Sequence, residues 1–353
     1  MAGYERRATR QHARETASAG ISPAGPRRAA NTMNRKGFVF AALTLLCGIA
    51  AAAEQGEFQV SESSDVIGES RVIAARYEDT FVALARTYDL GFEELREANP
   101  DVDPWLPGEG TKIVLPTQFV LPDAPRKGIV INLPELRLYY FPDEDGRRVI
   151  THPISIGRMD WSTPLGLTRV QSKVSNPAWY PPESIREEHA AENRPLPAVV
   201  PPGPDNPLGK HALRLALPGY LIHGTNKPAG VGMRVTHGCI RLFPEDIKAL
   251  FDNVPVGTPV RIVNQPYKLG WGEGGLYLEA HPPLAENGEE RPPLNMTELT
   301  RAFVAATENR YGQVDWDLAE RIVREGRGTP ELVSDTASLW SNASSAAGSE
   351  PPN

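Results

Sequence analysis

The sequence predicts a mainly β protein: a β-sandwich-like or partly open barrel unit, preceded by a small α+β module and followed by a short extension. Two observations carry this expectation. Between residues 127 and 264, short apolar runs bounded by Gly, Pro, Asn or Asp recur, and only one segment has a convincing helical period. Before that unit, residues 70–117 read as strand, helix, helix, strand.

Residues 1–53 precede all of this and read as an upstream segment plus a signal peptide. Residues 1–32 are basic (Arg6, Arg7, Arg10, Arg14, Arg27, Arg28) and lack apolar periodicity, which places the expected start at Met33. From there the chain runs Asn34-Arg35-Lys36, then an apolar stretch from Phe38 to Ile49, then Ala50 to Ala53 before Glu54. A positive start, a short apolar core and an A-x-A site describe a secretory signal peptide. The core is too short to span a membrane as a helix. Lipidation at Cys47 is the rival reading, and bulky Leu46 stands where a small residue is expected before it.

Without residues 1–53 the chain keeps 29 basic and 42 acidic side chains, a formal charge of −13. Nucleic-acid binding rests on phosphate neutralisation, so that class is excluded. Cys239 becomes the sole cysteine in a compartment where disulfides form readily. It is therefore either an inert buried thiol or a reactive one.

Polar residues 54–69 read as a linker. In the module, Arg71–Ala74 and Thr111–Leu115 are the expected strands. Thr80 is the expected N-cap of a helix whose apolar face is Phe81, Leu84, Ala85 and Tyr88, and a second helix through Phe92, Leu95 and Ala98 stops at Pro100. In the main unit, residues 129–133 and 136–141 form an expected hairpin about Pro134-Glu135. Further strands are expected at 149–156, 166–174, 212–217, 219–222 and 259–263. The one helix opens at Pro244-Glu245-Asp246, presents Ile247, Leu250 and Phe251, and ends at Pro255. Residues 265–330 form an extension with a Gly-rich hairpin and helices at 297–308 and 314–325. Residues 331–353, rich in Ser, Ala and Pro, read as a disordered tail.

The chemistry gathers at His223-Gly224-Thr225 and Thr236-His237-Gly238-Cys239-Ile240-Arg241. A thiol is mostly protonated at neutral pH and needs a base within reach; His223, with an ordinary pKa of about 6.5, is the candidate. Gly238 leaves room for a substrate and frees backbone N–H groups for an oxyanion. A zinc site made of His223, His237 and Cys239 is the competing reading. Its His-x-Cys spacing is unusual for zinc, and no carboxylate pattern completes it. His152, His189, His211 and His281 lack sequence partners and read as ordinary core or surface residues.

This pattern resembles the signature of the L,D-transpeptidases, the bacterial enzymes that join peptidoglycan stem peptides through a cysteine. The likeness extends through Gly157 with Thr163-Pro164-Leu165-Gly166, through Asn176 to Pro182, and through Pro202 to Gly209. Residues 70–117 resemble a lysin-motif (LysM) module, a binder of N-acetylglucosamine polymers, with Glu78 where the usual Gly-Asp-Thr has Gly. The resemblance implies Cys239 as nucleophile, His223 as base oriented by the Gly224 carbonyl, and an oxyanion site at the N–H groups of Gly238 and Cys239. It implies that Thr236 and His237 shape the substrate loop and that Arg241 holds a substrate carboxylate, with a structural ion pair as the alternative for Arg241. It implies no metal and no cofactor, a periplasmic location, and peptidoglycan as partner. The acceptor amine is either a neighbouring stem peptide, giving a 3–3 cross-link, or the lysine of an outer-membrane lipoprotein. Two alternatives stay open: a cysteine carboxypeptidase or endopeptidase that uses water, and a non-enzymatic wall-binding protein.

Overall fold

The computed structural model describes residues 56–158, 163–284, 295–308 and 313–335. The upstream segment and signal peptide lie outside the described residues, as do residues 336–353 of the expected tail.

The segment expected to be a linker is structured. It contains β1 (Glu57–Gln59) and β2 (Val66–Gly68). Val60 and Ile67 are buried, which explains why this polar-looking stretch is ordered. The module follows as β3 (Arg71–Ala74), α1 (Phe81–Thr87), α2 (Phe92–Ala98) and β4 (Lys112–Leu115), with β3 and β4 antiparallel. Thr80 caps α1, its hydroxyl accepting from the Ala83 N–H at 3.2 Å. Asn99 ends α2 and ties it to β4, donating to the Leu95 and Val114 carbonyls and accepting from the Val114 N–H, each at 2.8 Å.

The main unit runs through β5 (Gln118–Val120), β6 (Gly128–Asn132), β7 (Arg137–Phe141), β8 (Arg148–Pro153), β9 (Ile156–Gly157), β10 (Gly166–Ser175), α3 (Glu183–Ala191), β11 (His211–Leu215) and β12 (Leu221–His223). A 3₁₀ turn (Pro228–Gly230), β13 (Arg234–Thr236), β14 (Ile240–Arg241), α4 (Pro244–Asn253) and β15 (Pro259–Val263) complete it. Of the two expected forms, the partly open barrel rather than the sandwich is what forms: one mixed sheet of nine strands, in the order β1-β8-β7-β6-β15-β10-β11-β12-β14. The first residues of β10 pair with β15 and the rest with β11, with an irregularity between Val170 and Ser172 where the partner changes. A bulge at such a switch bends the strand, so the sheet curls into a half-barrel.

Both faces of the β6–β7 hairpin are covered. Ile129, Ile131, Leu138 and Tyr140 belong to the inner core with Ile247 and Leu250 of α4. Val130, Tyr139 and Phe141 point the other way and share a second core with Phe81, Leu84, Leu95 and Ile113 of the module. That is why Ile129-Val130-Ile131 reads as a continuous apolar run rather than an alternating one. The architecture is therefore mixed α/β, strand-rich, with helix, sheet and module stacked.

Polar contacts join the module to the sheet. Arg137, 1% exposed, makes a bidentate pair with buried Glu94 at 2.7 and 2.9 Å and donates to the Asp89 carbonyl. The Glu93 N–H donates to the Gly232 carbonyl at 3.1 Å. A Cβ on Gly232 would lie 2.2 Å from the Gly91 Cα, so the two backbones meet where only glycine fits. His152, read as an ordinary core or surface residue without a sequence partner, is buried, with Nδ1 3.1 Å from Asp89 Oδ2. Its partner comes from another part of the chain, which spacing does not reveal.

The extension comprises β16 (Tyr267–Gly272), β17 (Gly275–Ala280), α5 (Met296–Thr307), α6 (Trp316–Glu325) and β18 (Glu331–Asp335). Residues 331–335 are thus not part of a disordered tail. They add an antiparallel strand to β17 and bury Val333. The extension is anchored by Lys268, whose Nζ lies 2.7 Å from Glu135 Oε1 and 2.8 Å from Glu279 Oε1. His281 is buried and sits 2.6 Å from Glu279 Oε1.

Candidate active site

Strand pairing assembles the reactive groups. β12 and β14 run parallel with His223 opposite Arg241 and Ile222 opposite Ile240, so Cys239 arrives at the mouth of the sheet across from Leu221. The Leu242 N–H donates to the His223 carbonyl at 2.9 Å and extends the ladder. His223, Thr236, His237, Cys239 and Arg241 line one cavity of about 910 Å³, together with Tyr220 and Trp179. His223 and the residues 13–18 positions after it thereby face one volume.

His223 is buried, and its Nδ1 lies 2.6 Å from the Gly224 carbonyl. A carbonyl only accepts, so Nδ1 carries the proton and Nε2 holds the free lone pair. Burial, reinforced by the positive charge of Arg241, pushes the His223 pKa down to about 3, against the opposing Gly224 hydrogen bond. Burial pushes the Cys239 thiol up, opposed by a Leu221 backbone hydrogen bond and by Arg241. The resting pair is therefore a neutral thiol and a neutral imidazole. The Cys239 S–H points weakly to the Gly219 carbonyl at 3.7 Å. Arg241 favours the thiolate and disfavours the imidazolium, so its charge does not drive proton transfer between the two.

The loop before Cys239 is held by two hydroxyls. Thr163 Oγ1 donates to the Gly238 carbonyl at 2.9 Å, and Thr236 Oγ1 donates to the Cys239 carbonyl at 2.6 Å. Gly238 has φ +95°, a conformation that favours glycine. Because the peptide is planar and trans, fixing the Gly238 carbonyl on Thr163 aims the Cys239 N–H the opposite way. Thr236 is buried and its hydroxyl is committed to the loop.

His237 and Arg241 find different surroundings. His237 Nε2 lies 2.9 Å from Glu188 Oε2, and Glu188 Oε1 accepts from Arg158 at 2.7 Å. Those hydrogen bonds, Arg158 first, hold the Glu188 carboxyl below its usual range. Arg241 pairs through its backbone with Ser155, and its buried Nε has no hydrogen-bond partner among the described residues. Sequence reasoning missed Glu188 because α3 buries only Ile185 and so shows little apolar period.

The family profile of YkuD, an L,D-transpeptidase catalytic domain, matches residues 126–262. The probable L,D-transpeptidase YcfS of Escherichia coli K12 is 42% identical over 277 residues, 76% of this chain and 84% of YcfS. The chain belongs to the YkuD family of L,D-transpeptidases. The probable L,D-transpeptidase YbiS of the same organism is 37% identical over 302 residues, 83% of this chain and 96% of YbiS. The solved L,D-transpeptidase from Mycobacterium smegmatis is 22% identical, with a TM-score of 0.32, covering 44% of this chain and 63% of that one. As a member of the family this protein is a cysteine-dependent transferase, and the profile match ends before the extension and begins after the module.

Proposed function

We propose that this enzyme is a periplasmic peptidoglycan L,D-transpeptidase. Cys239 attacks the carbonyl of the third stem-peptide residue, expels D-alanine, holds the acyl group as a thioester and passes it to an amine. The observation that carries this reading is that Cys239 and His223 line one large cavity, with the histidine's tautomer set by the Gly224 carbonyl. His223 Nε2 takes the thiol proton as the C–S bond forms, because neither group is ionised beforehand. It returns the proton to the departing amine. The Cys239 N–H, turned away from Thr163, is the donor available to the oxyanion, and each such donor is worth about 10²–10³ in rate. Arg241 supplies a desolvated guanidinium for a substrate carboxylate.

The module is the glycan-binding part of the proposal. Tyr77, Trp105 and Leu106 are 76%, 63% and 65% exposed on the loops flanking its helices, and aromatic faces of that kind suit sugar rings. The signal-peptide reading supports export, with peptidoglycan outside the cytoplasm as substrate. The amine is a neighbouring stem peptide or a lipoprotein lysine. A soluble disaccharide tetrapeptide, incubated with enzyme with and without each amine, tests the reaction. D-alanine release with an amide-linked product supports transfer. Release of tripeptide alone supports the hydrolytic alternative, and no release refutes both.

A further inference from the structure

Two buried groups bring one histidine and two carboxylates together, and they differ in one respect. In the first, formed by Glu135, Glu279 and His281, the Lys268 ammonium sits within 2.8 Å of both carboxylates. In the second, formed by Asp89, His152 and Asp246, the donor atoms lie within 4.8 Å of one another. All three residues are buried. Among the described residues, no lysine or arginine side chain bonds either of these carboxylates. Neighbouring Arg137 spends its Nη2 on the Asp89 backbone carbonyl and on Glu94.

Two carboxylates converge on a single ring nitrogen. His152 Nδ1 is 3.1 Å from Asp89 Oδ2 and 3.5 Å from Asp246 Oδ1. One N–H serves two acceptors poorly, whereas a cation between the three atoms serves all of them. Zinc bonds of about 2.1 Å meeting at about 90–109° place neighbouring donors about 3.0–3.4 Å apart, close to the 3.1 and 3.5 Å that separate His152 Nδ1 from the two carboxylates. Asp89 Oδ1 and Asp246 Oδ2 are also buried with no hydrogen-bond partner among the described residues. Buried carboxylate oxygens in that condition are costly, and a cation held between them would satisfy them. Asp89 lines a cavity of about 410 Å³ that also touches exposed Glu69 and Arg71, which offers an ion a route in.

We propose that Asp89, His152 and Asp246 bind one divalent transition-metal ion, of the zinc class, that clamps the module to the catalytic sheet. An imidazole with two carboxylates suits zinc better than calcium or magnesium, which take oxygen ligands. Asp89 comes from the turn between α1 and α2, His152 from β8, and Asp246 from the first turn of α4. α4 begins three residues after β14, the strand that carries the chain on from Cys239. The ion is structural and takes no part in acyl transfer.

The test uses the mature chain carrying Cys239→Ser, which removes the active-site thiol as a competing ligand. After chelation and dialysis, zinc is added and followed by native mass spectrometry and calorimetry. One zinc per chain and a raised Tm are expected. X-ray absorption should show nitrogen and oxygen neighbours without sulfur. His152→Gln and Asp246→Asn, each added to that background, should weaken binding by more than the about 10–100-fold typical of losing an outer-shell partner. Absence of stoichiometric zinc in the folded Cys239→Ser protein overturns the proposal and leaves a shared proton in the cluster. So does binding that survives both substitutions. Should a variant fail to fold, the absorption spectrum of the parent decides, since a site lacking imidazole nitrogen is not this one.

Discussion

Acidification provides a sharp test of the site's electrostatics through His223. Its pKa is about 3 in the folded protein, against an ordinary value of 6.5, because burial and Arg241 oppose the imidazolium. The unfolded chain therefore binds a proton at His223 that the folded chain refuses between those values. Stability from this group is fully present above pH 6.5 and falls as the pH drops toward 3. At pH 4 the loss amounts to about 3 kcal/mol, and at pH 3 to about 4 kcal/mol. Denaturant unfolding of wild type and His223→Gln at pH 7 and pH 4 isolates the contribution, since other titrating groups act on both proteins. The variant should lose about 3 kcal/mol less than wild type over that interval. NMR of the imidazole should find no titration near pH 6.5, and the thiol should show no thiolate absorbance at pH 7. Equal losses in both proteins, or a His223 pKa near 6.5, would refute the neutral-pair description and restore a preformed ion pair.

Cys239→Ser should abolish acyl transfer with an unchanged circular-dichroism spectrum, and His223→Ala should cost about 10²–10⁴ in kcat, the usual contribution of a general base. A carbapenem presents a strained carbonyl that the thiol can open, so intact-protein mass spectrometry should find one adduct per chain, absent in Cys239→Ser. Glu94→Ala leaves the Arg137 guanidinium buried and unpaired and should destabilise the protein by about 3–5 kcal/mol in urea unfolding. Deleting residues 54–117 should accordingly remove turnover of a soluble tetrapeptide as well as binding to sacculi, since it exposes Val130, Tyr139 and Phe141; unaltered soluble turnover would favour a simple tether. N-terminal sequencing of exported protein should begin at Glu54, and a lipid on Cys47 would contradict that.

The chemistry was legible in the sequence because it is local. His223-Gly224 and the run from Thr236 to Arg241 are contiguous words, and a base, a glycine and a thiol in that order can be read without a fold. The helices of the module and of the extension were legible for a similar reason: caps and period belong to single segments. Thr80, for example, caps the helix it was expected to cap.

What the tertiary structure decided depends on partners far apart in the chain. Pairing at β10 decided between the two expected forms, sandwich and partly open barrel, in favour of a single curled sheet, because a strand's neighbours are set by register and bulges rather than by its composition. The residues read as a linker and the start of those read as a tail became edge strands once other strands offered them hydrogen bonds. Glu188, on a helix with little apolar period, came to hold His237. His152 gained a carboxylate, Asp89, from a distant segment. The histidine that looked like an ordinary base of pKa about 6.5 acquired its low value from desolvation, which a sequence does not encode residue by residue. Local covalent order named the candidate reacting groups, and packing specified the charge state in which they wait.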